Sequence, residues 1–424
     1  MSRVRKVFLF VAVPLLIIFV SVAVYFLRSN PPVTQNATKN NDQNTIGDQS
    51  NPKDAIKAGQ SLSNNHCEGE GVPYKLSASP MKMEDFTHII PYGLMVGGHV
   101  TPIDHQYFSP ADYKSPIDAY EVRAMADSTI VDIGTRKNET HPATEYRLVF
   151  TVSCTFFYYY DLVTSLAPEI KAEFDKNNRN GFFSGTIVVK AGQLIGRIGG
   201  RTLDFAVWDT TKPVTGFIKP SSYEAERWKL YTADPLNYYT DELKASLLSK
   251  YVRQAEPVSG KIDYDIDGKM IGNWFEEGSN GYMGTEANRN AGAYWKTHLS
   301  ISPDHFDPTQ SIISMGFLYK VLEHDDDMQY AILPGSASPA SVGVDTGLVK
   351  YDLGGWDYVK TDGSKWDKMG FTADAVTLKP NPSQHFGCAL GQLIETQKLK
   401  FELFVGKNCS AITSFTDKAK IYTR

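Results

Sequence analysis

A short loop carries the densest group of side chains that could do chemistry. Residues 98–108 contain His99, Asp104 and His105 among glycine, proline, threonine and tyrosine. Imidazole and carboxylate groups at such spacing can hold a hard cation, or can bind the amines and hydroxyls of a substrate. They can equally hydrogen-bond within a sheet without doing chemistry, because buried polar groups need partners in any case. The sequence leaves both interpretations open.

A glycine-rich hairpin lies further along the chain, at residues 189–199, and Thr202, Leu203 and Asp204 follow it. With four other blocks, this hairpin resembles the lysostaphin-type zinc endopeptidases, a family that cuts cell-wall peptide bridges. The blocks follow the family's order within residues 88–210: His99 with Asp104, residues 122–127, residues 159–162, residues 189–196 and residues 202–204. The resemblance covers less than a third of the chain and implies an antiparallel β-sandwich with a groove.

The same blocks depart from the family where catalysis takes place. In the family a His and an Asp, with three residues between them, hold zinc together with the second His of a His-x-His motif; two further histidines act on the attacking water. Here four residues separate His99 from Asp104, and Asp204 stands at the third ligand position. Asp161 and Thr202 replace the other two histidines. Without a group that titrates near neutrality, a metal-bound water lacks its proton acceptor, so peptidase activity is not expected.

The resemblance also defines a candidate ligand-binding groove. Alternate residues of a strand face opposite sides, so in the aromatic run of residues 156–160 we expect Tyr159 at the groove, with Phe156 and Tyr158 in the core. The predicted groove residues are His99, Asp104, His105, Tyr159, Asp161, Thr202 and Asp204. Three of them, His99, Asp104 and Asp204, are the candidate metal ligands, although zinc prefers nitrogen and sulfur donors to two carboxylates.

The N-terminal region indicates an exported protein. Residues 7–27 form an uncharged run of 21 residues, long enough as a helix to cross a hydrocarbon core of about 30 Å. Arg3, Arg5 and Lys6 precede the run and only Arg28 closely follows it, which places the N-terminus in the cytoplasm and the bulk outside. A cleaved signal peptide is the alternative. Residues 28–66 are polar and rich in asparagine, so a disordered linker is predicted.

The four cysteines fit that compartment. An even number of cysteines outside the cytosol favours two disulfides, and three pairings are possible. We expect Cys67 to pair with Cys154 and Cys388 with Cys409, because each pair then falls within one predicted domain.

The predicted fold is mostly β. After the cytoplasmic residues 1–6, the transmembrane helix and the linker, we expect a lysostaphin-like antiparallel β-sandwich at 67–236, with one helix near residues 168–176. A short helical connector at 237–257 and a second antiparallel β-sandwich or barrel at 258–424 follow. The connector helix should begin after Thr240, carry a stripe that includes Leu243, Leu247, Leu248 and Tyr251, and run to about Arg253. The last domain resembles no family that we recognise.

Composition and motifs exclude several functions. The formal charge of −5 without a basic stripe argues against a nucleic-acid partner. The run at residues 263–268 imitates a calcium loop, but Trp274 stands where the bidentate glutamate is required. His298, Asp304, His305 and Asp307 are better explained by a polar surface turn than by a metal site.

The sequence therefore predicts a membrane-anchored extracytoplasmic protein that binds a cell-envelope glycan or peptide, or an envelope protein, without cleaving it. No cofactor is expected, and zinc is the one candidate. The alternative is a metal-dependent peptidoglycan endopeptidase or amidase with a rearranged site of His99, Asp104, His105 and Asp204. A purely structural envelope subunit is a third hypothesis.

Overall fold

The structure is a computed structural model that describes residues 51–71, 74–137, 144–318 and 328–424. The predicted membrane anchor, residues 7–27, and the first part of the predicted linker lie outside these ranges. Within them, no helix has both the length and the apolar character needed to span a bilayer.

The elements are as follows. The α-helices are α1 Pro52–Leu62, α2 Pro168–Asn177, α3 Asp241–Leu248 and α4 Glu286–Asn290. Short 3-10 helices span Pro220–Tyr231, Pro235–Asn237, Gly281–Met283, Tyr294–Thr297, Gly316–Leu318, Val344–Thr346 and Cys409–Ala411. The strands are β1 Phe86–Ile90, β2 Gln106–Pro110, β3 Tyr120–Arg123, β4 Ser128–Lys137, β5 Thr144–Thr151, β6 Phe156–Val163, β7 Ser165–Leu166, β8 Phe182–Val189, β9 Leu194–Ile198, β10 Leu203–Asp209, β11 Thr232–Ala233, β12 Gly272–Glu276, β13 His298–Pro303, β14 Ser311–Met315, β15 Gln329–Ile332, β16 Val349–Lys360, β17 Val376–Glu395, β18 Lys398–Val405 and β19 Lys420–Thr423.

Two antiparallel sheets form the first half of the described chain. The larger sheet has the order β1-β2-β10-β6-β5-β4-β8, with β11 paired to β10, and the smaller has the order β3-β9-β7. One hydrophobic core contains residues of both sheets, among them Val122 of β3, Ile195 of β9 and Phe150 of β5. The prediction of mostly antiparallel β structure is confirmed, and the predicted helix near residues 168–176 is α2.

The second half closes into a barrel. Strands β12 to β19 form it, each paired antiparallel to its neighbours, so the sequence's open choice between sandwich and barrel is resolved in favour of a barrel. Trp274, Tyr351 and Tyr422 are fully buried in its core. The alternation seen near residue 400 places Leu399 and Phe401 inside as well.

Two local predictions need correction. The predicted disordered linker extends to residue 66, yet α1 occupies part of it, because the Asn51 side chain caps the helix and Ala55, Ala58 and Gly59 are buried beneath it. The connector helix begins after Thr240 as expected but ends at Leu248 rather than near Arg253. Leu248 is 38 % exposed, so the end of the predicted apolar stripe is not buried. Arg253 lies beyond the helix, and its guanidinium donates hydrogen bonds to backbone carbonyls, including that of His305 at 2.8 Å.

Both predicted disulfides are present. Cys67 is bonded to Cys154 across 87 residues, which ties the end of the α1 segment to the turn before β6. Cys388 is bonded to Cys409 across 21 residues and joins β17 to the 3-10 helix that follows β18. Each bond lies within one half of the described chain.

Candidate functional site

One row of side chains crosses the larger sheet and forms the floor of the candidate site. Tyr107 of β2 lies opposite Asp204 of β10, which in turn lies opposite Asp161 of β6. Residues directly opposite in an antiparallel pair project from the same face, and so does a residue two positions away on one strand. Tyr159 therefore shares the face of Asp161. Three of the predicted groove residues come together through strand pairing alone.

The aromatic run divides between the two faces of the sheet as expected. Phe156, Tyr158 and Tyr160 belong to the core between the sheets. Phe157 and Tyr159 belong to a second cluster on the opposite face, together with Trp208 and Trp228.

A backbone irregularity fixes Asp161 at the end of this run. Leu162 has a φ of +67°, a left-handed conformation that is uncommon for leucine, and the β5–β6 register shifts beside it. The Leu162 N–H donates to Asp161 Oδ1 at 2.8 Å. The other carboxylate oxygen forms an ion pair with Arg136. The Asp161 carboxylate is thus neutralised by a fixed side chain.

The loop that carries His99 is held by the barrel. Gly97 exchanges two hydrogen bonds with the Gln329 side chain of β15, at 3.1 and 3.0 Å. A Cβ added to Gly98 would lie only 2.8 Å from Cε2 of Trp295, so the tryptophan requires glycine there. The position of the polar loop therefore depends on the second half of the chain.

All seven predicted groove residues line one cavity of about 100 Å³. Nine further residues complete its lining, and sequence reasoning named none of them as site residues: Tyr107, Arg136, Arg147, Leu162, Glu226, Trp228, Lys229, Tyr282 and Tyr294. Three of these, Glu226, Trp228 and Lys229, come from the 3-10 segment Pro220–Tyr231. The available signal was Lys229 itself, because a lysine between Trp228 and Leu230 within an apolar stretch indicates a buried partner.

Both carboxylate oxygens of Asp104 accept hydrogen bonds from that 3-10 segment. Its Oδ1 accepts a hydrogen bond from Lys229 Nζ at 2.8 Å, and its Oδ2 accepts one from Trp228 Nε1 at 2.9 Å. Lys229 Nζ also lies 3.2 Å from Glu226 Oε2. Burial tends to raise the pKa of Asp104, but Lys229 and His105 outweigh burial and hold that pKa well below its usual range. Burial tends to lower the pKa of Lys229, yet Asp104 and Glu226 raise it above its usual value. Both groups are therefore charged at neutral pH.

His105 lies between two carboxylates. Its Nδ1 is 3.4 Å from Asp104 Oδ1, and its Nε2 is 3.5 Å from Asp204 Oδ2 and 3.0 Å from the Tyr107 hydroxyl. The His99 ring lies 5.6 Å from the His105 ring. Burial, reinforced by the neighbouring His105, lowers the pKa of His99 well below its usual range, so His99 is neutral at neutral pH.

Asp204 is one of two cavity acids, with Glu226, whose pKa is raised by burial. Burial raises its pKa to about 6, and the repulsion from Asp161 acts in the same direction, whereas His105 opposes both. The Thr202 hydroxyl donates to Asp204 Oδ1 at 3.4 Å. A buried carboxyl of the cavity therefore titrates closer to neutrality than an ordinary aspartate, which the sequence alone does not predict.

Aromatic rings form the walls. The Arg147 guanidinium lies over the rings of Tyr159 and Trp228, at 4.6 and 5.3 Å from their centroids. The Lys229 ammonium lies 4.9 Å from the centroid of Tyr282. Such cation–π contacts stabilise buried cations that would otherwise lose their hydration.

The candidate metal ligands of the cavity are not arranged as a metal ion requires. In the described ranges, one trio of His, Cys, Asp or Glu ligand atoms lies within 4.8 Å of one another: Asp352, Cys388 and Cys409. Its two sulfur atoms form a disulfide, whereas a cysteine binds a metal ion as a free thiolate. His99, Asp104 and Asp204 share the cavity without forming such a group, and both Asp104 oxygens already accept hydrogen bonds. His99, Asp104 and Asp204 therefore do not fit a metal ion as they stand.

No protein-family model and no curated protein matches the sequence. Solved structures resemble part of it. Csd3 of Helicobacter pylori, in two crystal forms, is 18% identical over 34% of this chain and 34% and 33% of its own length, with TM-scores of 0.23 and 0.22. A zinc-containing peptidase of Vibrio cholerae is 20% identical over 32% of this chain and 39% of that chain, with a TM-score of 0.20. The chain thus spans between about a third and two fifths of these structures, and likeness at this level carries no conclusion about activity.

Proposed function

We propose that the protein is a non-hydrolytic binding protein of the cell envelope. In this proposal residues 7–27 anchor it in the membrane, and the cavity of the degenerate lysostaphin-like region receives part of an envelope glycan, peptide or protein. The order of the five sequence blocks supports the fold relationship, and the clustering of the groove residues around one cavity supports a binding site.

One observation carries the non-hydrolytic part of the proposal. Asp104, the aspartate at the family's metal-ligand position, binds the Lys229 ammonium and the Trp228 indole. A side-chain ammonium neutralises the carboxylate as a metal ion would, but it offers no vacant coordination position at which a water could be activated.

The residues at the two acid–base positions of the resemblance, Asp161 and Thr202, also support a non-hydrolytic function. Asp161 is paired with Arg136, and Thr202 presents only a hydroxyl that donates to Asp204. Neither side chain is arranged to take a proton from an attacking water.

A rearranged hydrolase is the second candidate, and one observation favours it. Asp204 has a pKa of about 6 and lies 3.5 Å from His105, which suits a general acid or base at neutral pH. This candidate would use His99, Asp104, His105 and Asp204 as a metal-dependent peptidoglycan endopeptidase or amidase.

The test uses the full-length protein, purified without chelator. We expect no stoichiometric zinc by mass spectrometry, no release of peptides or sugars from cell-wall fragments with or without added zinc, and retention of those fragments in a pull-down. Hydrolysis that His105→Ala abolishes, while His385→Ala outside the cavity leaves it unchanged, would instead establish the hydrolase.

A further inference from the structure

The charges that line the cavity do not balance. Four carboxylates face it, those of Asp104, Asp161, Asp204 and Glu226. Three cationic side chains, Arg136, Arg147 and Lys229, face it as well. The lining therefore carries one acid more than it carries permanent cations.

Asp204 is the acid without a close cation. Lys229 serves both Asp104 and Glu226, the charge of Arg147 acts on Glu226 as well, and Arg136 serves Asp161. The nearby Arg201 is paired with Glu145. Within 4 Å, Asp204 has the Thr202 hydroxyl at 3.4 Å and His105 Nε2 at 3.5 Å, while Arg136 and Arg201 act on it from further away. Both distances exceed the roughly 2.7–2.9 Å of charge-assisted hydrogen bonds.

The surroundings of Asp204 indicate the kind of ligand group that would balance its charge. The residue is 7 % exposed, so its charge is mostly removed from water. Tyr107 stands opposite it in the neighbouring strand, and Thr202 lies two residues before it. A carboxylate with hydroxyl oxygens beside it matches the three N–H donors of a primary ammonium. A cavity of about 100 Å³ admits such a head group.

We propose that the cavity binds a small primary ammonium group, as carried by an amino sugar or by the side chain of a diamino acid, with Asp204 as its counter-charge. The assignment of that group to an envelope molecule rests on the proposed function. The ammonium specificity itself rests on the charge and geometry of the cavity, and so can fail or succeed independently of hydrolysis.

The experiment measures binding of ethylammonium to the full-length protein by ligand-observed NMR, with acetamide as a neutral probe and acetate as an anionic one. We expect ethylammonium to bind and the other two to bind much more weakly. Asp204→Asn should weaken ethylammonium binding by about ten- to a hundredfold, the loss expected when a charged hydrogen-bond partner is removed. Asp132→Asn is the matched control, because Asp132 is a buried aspartate of the same sheet outside the cavity lining.

Three results would overturn the proposal. One is equal binding of ethylammonium and acetamide to the wild-type protein, which needs no variant to fold. Another is unchanged ethylammonium binding in Asp204→Asn when its thermal unfolding shows a folded protein. The third is stoichiometric binding of zinc or magnesium alone that excludes ethylammonium, since the excess charge would then serve a metal. Hydrolysis of cell-wall fragments would contradict the proposed function and leave this specificity standing.

Discussion

At the scale of single residues, Lys229 determines what Asp104 can do. A metal ion leaves and returns with its concentration, whereas a lysine on the same chain is always present at the carboxylate. Here Lys229 is 5 % exposed, and its ammonium is held by two acids and an aromatic ring. The ion pair is therefore part of the folded structure, and its removal should affect stability before it affects any ligand.

The variant Lys229→Met tests this. It keeps most of the apolar stem but leaves Asp104 buried without its cation, so we expect a loss of about 3–5 kcal/mol in the free energy of unfolding, measured with urea. The double variant Lys229→Met/Asp104→Asn should recover part of the loss, because the charge of Asp104 is then gone while Glu226 still lacks its cation. Lys190→Met serves as control: the Lys190–Asp127 pair is exposed, and no measurable change is expected. A single variant as stable as the wild type would show that the pair contributes nothing.

At the scale of elements, α1 shows how a polar segment becomes ordered. Its residues Ala55, Ala58 and Gly59 are small enough for the helix to lie closely against the turn before β6. The Cys67–Cys154 bond holds the same two segments together. Polar composition alone predicts disorder there, because composition does not reveal which small residues meet another surface.

The contact at Gly59 gives a prediction for this element. A Cβ at this position would overlap the Cys154 carbonyl and come within 3.2 Å of the Phe157 ring. Gly59→Ala should therefore loosen α1 despite alanine's better helix propensity, with faster hydrogen exchange of its amides and a stability loss of about 1–3 kcal/mol. Lys57→Ala, in which the replaced side chain is 77 % exposed, should leave exchange unchanged. Equal exchange in the two variants would show that the close approach does not constrain the helix.

The sequence predicts local features better than it predicts contacts between segments that are distant along the chain. The alternation of the aromatic run, the cap at Thr240 and the two disulfides follow from local pattern or from domain membership, and all three are present. Lys229 was missed because it lies 125 residues after Asp104, in a segment without a recognisable motif. Strand pairing places Asp161 opposite Asp204. The 3-10 segment Pro220–Tyr231 reaches the same cavity only through the tertiary fold. The order of residues along the chain does not give their distances in space, so sequence motifs do not reveal such a partner.

At the scale of the whole molecule, the barrel half supports the cavity of the sheet half. Gln329 of β15 holds Gly97, and Trp295 packs against Gly98, which together place the loop of His99. Tyr282 and Tyr294 also line the cavity from residues before β13. One hydrophobic cluster contains Trp228 of the first half together with residues of the second. This gives residues 258–424 a structural role that their sequence alone does not reveal.

If the halves depend on each other in this way, they should unfold together. Separating the halves would remove the hydrogen-bond partners of the Gly97 backbone and the packing of Gly98 against the Trp295 ring, so neither half gains by unfolding alone. We expect one calorimetric transition for residues 51–424 within the full-length protein, with calorimetric and van't Hoff enthalpies in agreement. Gln329→Ala should lower the midpoint of that one transition, and Gln384→Ala, at an exposed residue of β17, should not. Two separate transitions, with the lower one alone shifted by Gln329→Ala, would mean that the sheet half and the barrel fold independently and that the cavity is assembled only when they dock.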